Sequence, residues 1–181
     1  MRIVAGAWRG RTLIAPAGLA TRPTADRVRQ ALFDILMHAP WAGRSAIEGA
    51  LVLDVFAGTG ALGLEALSRG AGRAVFVEQS RPALTALRAN IAACRAEDIC
   101  EVMAIDALNV SAGERADIVF LDPPYGQSLV ARALARLRVA GRVAAGSLIV
   151  AETGRDEPAP CSDAKSERTH GAARVTIWRE S

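Results

Sequence analysis

Leu51-Val52-Leu53-Asp54-Val55-Phe56-Ala57-Gly58-Thr59-Gly60-Ala61-Leu62-Gly63 is the stretch that decides the fold. Residues 51–56 are a short apolar run broken by one carboxylate, which reads as a buried strand. Glycines follow at 58, 60 and 63, then a helical pattern through Leu64 and Leu67 to a stop at Gly70. Strand, glycine turn and helix are the opening of a nucleotide-binding α/β unit. The next apolar run, Ala74-Val75-Phe76-Val77, ends in Glu78, close to the distance expected of an acceptor for ribose hydroxyls.

The glycine spacing alone would fit a dinucleotide enzyme, but Asp54 argues against one. A pyrophosphate beside that carboxylate would meet a like charge, at a cost of roughly several kcal/mol for an effective dielectric of about 20. S-adenosylmethionine carries a sulfonium, an ammonium and one carboxylate, so its positive end suits Asp54. Its carboxylate suits the glycine amides and the helix N-terminus. A nicotinamide oxidoreductase stays as the alternative from the glycine pattern alone.

Asp122-Pro123-Pro124-Tyr125 follows a second buried run, Ile118-Val119-Phe120-Leu121. Each proline lacks an N–H and has a fixed φ, so the chain turns just past the strand. The turn presents a carboxylate, carbonyls without competing N–H groups, and an aromatic ring. That set suits a planar group carrying an amine, such as a nucleobase with an exocyclic NH₂. Turn chemistry alone also explains the prolines, with Tyr125 then a packing residue.

With these motifs in hand, the chain resembles the class I S-adenosylmethionine-dependent methyltransferases of the DPPY type. More narrowly, it resembles the bacterial family that methylates the exocyclic N2 of a guanine in 16S ribosomal RNA. The narrower resemblance rests on Arg2-Ile3-Val4-Ala5-Gly6, Trp8-Arg9-Gly10-Arg11, Arg22-Pro23-Thr24, Asp26-Arg27-Val28-Arg29, and the closing His170-Gly171 to Trp178-Arg179. It covers essentially the whole chain. His170 departs from the aromatic expected there, and residues 153–166 match no family pattern. The resemblance implies that Asp122, Pro123, Pro124 and Tyr125 are catalytic. It implies that Asp54, Ala57, Gly58, Gly60 and Glu78 hold the cofactor, that Asp106 accepts from the adenine amino group, and that the Ala107 amide meets the ring. Asp106 reads equally well as a turn cap. The implied partner is 16S ribosomal RNA within a partly or fully assembled small ribosomal subunit. The alternatives are an adenine-N6 methyltransferase of DNA or RNA, and a non-catalytic RNA-binding assembly factor.

The chain has 181 residues, enough for one three-layer domain. Residues 1–40 are expected to form a basic extension and 41–181 the methyltransferase domain. No stretch reaches membrane-spanning apolar length, and the N-terminus has no apolar signal core, so a cytoplasmic location is expected. Cys94, Cys100 and Cys161 are scattered, and His38 and His170 lie far apart, so no metal is expected. No exposed heptad points to an obligate dimer, and a monomer is expected. Residues 1–30 hold six arginines against one acid, a net of +5, whereas the whole chain carries +3. Arg2, Arg9, Arg11, Arg22, Arg27 and Arg29, with Trp8, are therefore the candidate RNA contacts.

The elements follow from periodicity. Strands at 2–5 and 11–15 should form a small β-hairpin with Trp8 at its tip. Thr24 should cap a helix to about Met37 that lays Val28, Ala31, Leu32, Ile35 and Leu36 on the domain and turns Arg27 and Arg29 away. Strands at 51–56, 73–78, 100–104, 117–121 and 147–152 then alternate with helices at 61–69, 81–94 and 128–139. Residues 153–163 read as a loop, and 164–169 and 173–179 as a closing hairpin. The expected fold is Rossmann-like: a doubly wound, mostly parallel seven-stranded sheet with an antiparallel last strand, inserted beside the fifth by resemblance.

Overall fold

The computed structural model describes residues 1–16 and 23–181. Seven strands form one sheet: β1 (Leu51–Val55), β2 (Arg73–Val77), β3 (Cys100–Met103), β4 (Ile118–Leu121), β5 (Leu148–Gly154), β6 (Ser166–His170) and β7 (Ala173–Arg179). Their order is β3-β2-β1-β4-β5-β7-β6. The first five run parallel, and β7 enters antiparallel between β5 and β6. Among the described residues there are four α-helices, α1 (Pro23–His38), α2 (Ala61–Ser68), α3 (Arg81–Cys94) and α4 (Leu129–Val139), and three short 3-10 turns.

The sheet separates two apolar cores. Leu32, Phe33 and Leu36 of α1, Leu64 and Leu67 of α2, and Leu84, Leu87 and Ile91 of α3 pack with Phe76, Phe120 and Val150 on one face. Val130, Leu134 and Leu137 of α4 pack with Leu53, Val119, Ile149 and Trp178 on the other. Burial on both faces is why the central strands read as continuous apolar runs rather than alternating ones. Strand order reverses between β1 and β4, which opens a crevice at their carboxyl ends.

The N-terminal arm keeps the expected hairpin in shortened form: Ile3 N donates to Arg11 O (2.9 Å), Gly10 N to Ile3 O (2.9 Å) and Leu13 N to Met1 O (3.0 Å). Its two strands reduce to one bridge, Arg2 with Thr12. Side chains far along the chain take the amides that a longer ladder would have used. Glu65 accepts from Val4 N (2.8 Å) and Ala5 N (3.0 Å), and Asn90 accepts from Ile14 N (2.7 Å). Gly6 crosses the end of α2 so closely that a Cβ there would lie 1.8 Å from the Ser68 carbonyl oxygen. The arm is thus stitched to α2 and α3.

Helix α1 differs in two ways. It begins at Pro23, so Thr24 lies inside the first turn instead of capping it, consistent with the preference of proline for the first helical position. Its buried face is Arg29, Leu32, Phe33 and Leu36, whereas Ala31 is exposed. Arg29 is therefore turned inward, not outward. It pairs with Asp26 (2.9 Å) and Glu65 (3.4 Å) and donates to the Arg2 carbonyl. Burial and these partners remove Arg29 from the candidate RNA contacts.

Candidate functional site

The pleat gathers the acids. Asp54 sits in register with Phe76 and Phe120, and Phe120 with Val150. Registered residues in parallel strands share a face, and side chains alternate along each strand. Glu78, Asp122 and Glu152 each lie two residues beyond one of these partners. All four acids therefore turn to the same face, at the carboxyl end of the sheet.

A cavity of about 640 Å³ occupies the crevice. Asp54, Ala57, Gly58, Glu78, Ala107, Asp122, Pro123, Pro124 and Tyr125 line it. Gly60 and Asp106 are not among its lining residues. Gly60 is the hinge into α2, with φ 79°, and a Cβ there would strike Leu87 at 2.4 Å. Asp106 accepts from Leu108 N at 2.9 Å and caps a short turn. Phe56, Leu62 and Ile105 also line the cavity, as does Met1 from the arm. None of these was legible as a site residue, since each reads as core or terminus. Phe56 is held in the left-handed region at φ 65°, an uncommon conformation for a bulky residue and one that clusters at ligand sites.

Asp54 is buried, and its Oδ2 accepts from Gly63 N at 2.9 Å. A Cβ on residue 63 would meet Phe76 at 2.4 Å, so only glycine brings that amide so near. Burial pushes the Asp54 carboxyl up to about 8; the Gly63 amide opposes this, and the charges of Asp122 and Glu78 add to it. Glu78 accepts from Gly58 N (2.8 Å), Gln79 N (2.8 Å) and Ser80 N (2.7 Å). Gly60 offers α2 no side-chain cap, so the positive end of that helix faces the cavity. The cleft thus pairs a surplus of carboxylates with the start of α2, where Asp54 already takes the Gly63 amide. A ligand with a cationic end, one carboxylate and ribose hydroxyls fits this donor and acceptor set. Among the described residues, no group of His, Cys, Asp or Glu is arranged to hold a metal ion.

A second cavity, about 320 Å³, lies on the other side of Asp122. Leu32, Leu62, Leu121, Val150 and Val175 supply apolar walls, and Asp122, Tyr125 and Glu152 supply polar edges. Leu62, Asp122 and Tyr125 line both cavities. Asp122 is exposed at this junction, and partial loss of water at the cavity edge, then the Glu152 charge, push its carboxyl above the ordinary range. The Tyr125 hydroxyl donates to Glu152 Oε1, and burial and that contact raise its pKa. The turn is tied down further on. Gly126 N donates to Glu157 Oε1 at 2.8 Å, and Arg174 Nη2 donates to the Glu157 carbonyl at 2.6 Å. Glu152 went unremarked in the sequence, although it closes the fifth strand as expected there, at 147–152; β5 itself runs on to Gly154.

Arg2, Arg9, Arg11 and Arg27 are exposed. Trp8 is half-buried against the first core. Arg22 lies outside the described residues.

Strand order, glycine turn and strand-end acids define a Rossmann-like methyltransferase fold. An RNA methyltransferase from Salinibacter ruber, in complex with S-adenosyl-L-homocysteine, shares that fold at TM-score 0.62 and 16% identity, over 89% of this chain and 93% of the other. The family described as "Conserved hypothetical protein 95" matches residues 1–179, and the chain belongs to it. Over 155 residues the chain is 41% identical to Ribosomal RNA small subunit methyltransferase D of Escherichia coli strain K12, covering 84% of this chain and 74% of that relative. The protein of the same name from Haemophilus influenzae is 36% identical over 163 residues, covering 87% and 81%. Among solved structures, the yhhF protein of Escherichia coli superposes at TM-score 0.86 with 36% identity, covering 99% of this chain and 98% of the other.

Proposed function

We propose that this chain transfers a methyl group from S-adenosylmethionine to the exocyclic N2 of a guanine in the 16S RNA of the small ribosomal subunit, in the cytoplasm. The observation that carries the reading is that Asp122 and Tyr125 line both cavities, so a group held in one meets a group held in the other. The relatives named for small-subunit ribosomal RNA methylation support the substrate class. No described helix is long and apolar enough to cross a membrane.

Asp54 and Glu78 face the cationic end and the ribose, Gly58 and the start of α2 face the carboxylate, and Ala107 with Asp106 borders the adenine. Bound there, S-adenosylmethionine supplies an electrophilic methyl group. The chain's own residues prepare the amine. A guanine N2 is a weak nucleophile because its lone pair is delocalised into the ring. Hydrogen bonds from N2 to the Asp122 carboxylate and the Pro123 carbonyl turn that lone pair out of the ring. Tyr125 covers the face of a base drawn out of its helix, and Pro124 fixes the turn. The Asp122 carboxylate stabilises positive charge growing on N2. Its raised pKa suits it to take the proton that N2 sheds. Arg2, Arg9, Arg11, Arg22 and Arg27 contact RNA phosphates, with Trp8 beside them.

The test is transfer of labelled methyl from S-adenosylmethionine to small ribosomal subunits lacking the mark, with duplex DNA as control. Label on the RNA supports the reading; label on DNA alone, or on neither, overturns it.

Asp54 yields a pH prediction. Below about 8 its buried carboxyl keeps a proton, and a cationic ligand favours the ionised form. Binding should therefore expel close to one proton near pH 7, and affinity should rise by up to roughly tenfold per pH unit until pH 8, then level off. Calorimetry in buffers of different ionisation heat counts the proton; zero release contradicts the assignment. In the ligand-free protein the sign is opposite for stability. The Asp54 contribution is full below the ordinary carboxyl value of 3.8 and is lost as pH rises through about 8.

A further inference from the structure

Of the four acids at the strand ends, Glu152 takes no part in the chemistry above. Its position is nonetheless specific. Leu121 of β4 and Ala151 of β5 are registered partners, so Asp122 and Glu152 are the next pair along. Neighbouring strands lie about 4.8 Å apart and registered side chains share a face. Both carboxylates border the second cavity, whose other walls include Leu32, Leu62, Val150 and Val175. The Tyr125 hydroxyl donates to Glu152 Oε1, which fixes the side chain and leaves Oε2 for another donor.

When both are ionised, two carboxylates side by side on an apolar wall call for two adjacent donors, and such donors favour the ionised Asp122 that the Glu152 charge otherwise opposes. The nucleobases differ on this point. Guanine presents N1–H next to its N2 amine. Adenine presents its N6 amine next to the N1 lone pair, and cytosine its N4 amine next to the N3 lone pair. A second carboxylate beside Asp122 meets a proton on guanine and a lone pair on the other two. Cations near the cavity do not alter this. Arg29 is engaged by Asp26, Glu65 and the Arg2 carbonyl, and His170 is exposed at the rim.

We propose that Glu152 reads the N1–H of the target guanine while Asp122 holds its N2 amine, so that the carboxylate pair selects guanine over the other amine-bearing bases. This rests on the guanine-N2 reading above and deepens it. Tyr125 then has two tasks: its ring covers the base, and its hydroxyl aims Glu152.

The test compares two target bases in small-subunit RNA, guanine and 2-aminopurine. The second keeps the C2 amine but carries a lone pair at N1. Wild-type kcat/KM should favour guanine by at least ~100-fold, because a site built for an N–H rejects an analogue lacking it. Glu152→Gln can turn its amide NH₂ toward the N1 lone pair, so the preference should fall below about 10-fold. RNA affinity without cofactor should show the same narrowing, and S-adenosylhomocysteine affinity should match wild type, which also reports a folded variant. The wild-type comparison needs no substitution, so misfolding of the variant cannot rescue the idea. Wild-type preference within about threefold of unity, or an unchanged preference in Glu152→Gln, overturns the assignment of Glu152. If the wild-type product on unmodified RNA is instead an N6-methyladenine, it is the guanine reading itself that falls.

Discussion

Asp122→Ala is expected to lower methyl transfer roughly 10²–10³-fold, the usual effect of deleting one group that stabilises charge developing in a transition state. Asp122 is the acid on the junction of the two cavities, and its carboxyl is already biased toward accepting a proton. Removing it leaves the amine lone pair in the ring and the nascent charge unopposed. Cofactor binding should survive within a few-fold, because the groups that face the cofactor, Asp54, Glu78 and the start of α2, are separate from it. Asp122→Asn should be nearly as slow, since the amide keeps the shape and loses the charge. Calorimetric titration with S-adenosylhomocysteine and single-turnover rates separate the two effects. A variant that binds cofactor weakly but turns over normally at saturation would place Asp122 in binding and not in transfer.

Glu65→Ala is expected to cost about 3–5 kcal/mol of stability, the range for removing one member of a buried ion pair. Glu65 is fully buried. Its oxygens accept from Val4 N, Ala5 N and Arg69 Nε (2.8 Å), and Arg29 Nε lies 3.4 Å away. Alanine there strands two buried guanidinium groups, one of them stacked 4.8 Å over Phe33, and two arm amides. For a chain of this size the melting temperature should fall by roughly 6–20 °C. Urea unfolding measures the change. A loss under about 1 kcal/mol would mean the network relaxes into water at little cost. Because the same carboxylate anchors the arm, RNA affinity should fall with stability, whereas Arg9→Ala should weaken RNA binding with little change in melting.

The difference between what was and was not legible follows from the range of the interactions. Strands β1 to β5 and helices α2 to α4 lie within a few residues of their expected limits, since each is an apolar run or stripe closed by glycine or a polar turn. Gly58, Asp54, Glu78 and Asp122 were legible as a set because the parallel topology brings every strand's carboxyl end to one edge. The docking of the arm was not, because its partners Glu65 and Asn90 lie 61 and 76 residues away in the chain. Arg29 reads as outward because periodicity puts the apolar stripe on Val28, Ala31, Leu32, Ile35 and Leu36; the buried Glu65, on another helix, explains a guanidinium among Leu32, Phe33 and Leu36. The stretch after β5 has no periodicity to read, yet Glu157 within it holds the amides of Gly126 and Gly154 (2.8 and 3.2 Å). Asp106 has two readings, and the turn cap is one of them: its Oδ1 accepts from Leu108 N, which leaves its other oxygen for a ligand.

Nucleoside mass spectrometry of small-subunit ribosomal RNA, from cells with and without this gene, bears most directly on the claim that the Asp122 corner presents a guanine amine for methylation. The account predicts that one N2-methylguanosine disappears without the gene and returns when wild type, but not Asp122→Ala, is restored. An unchanged N2-methylguanosine level, or loss of N6-methyladenosine in its place, would contradict it.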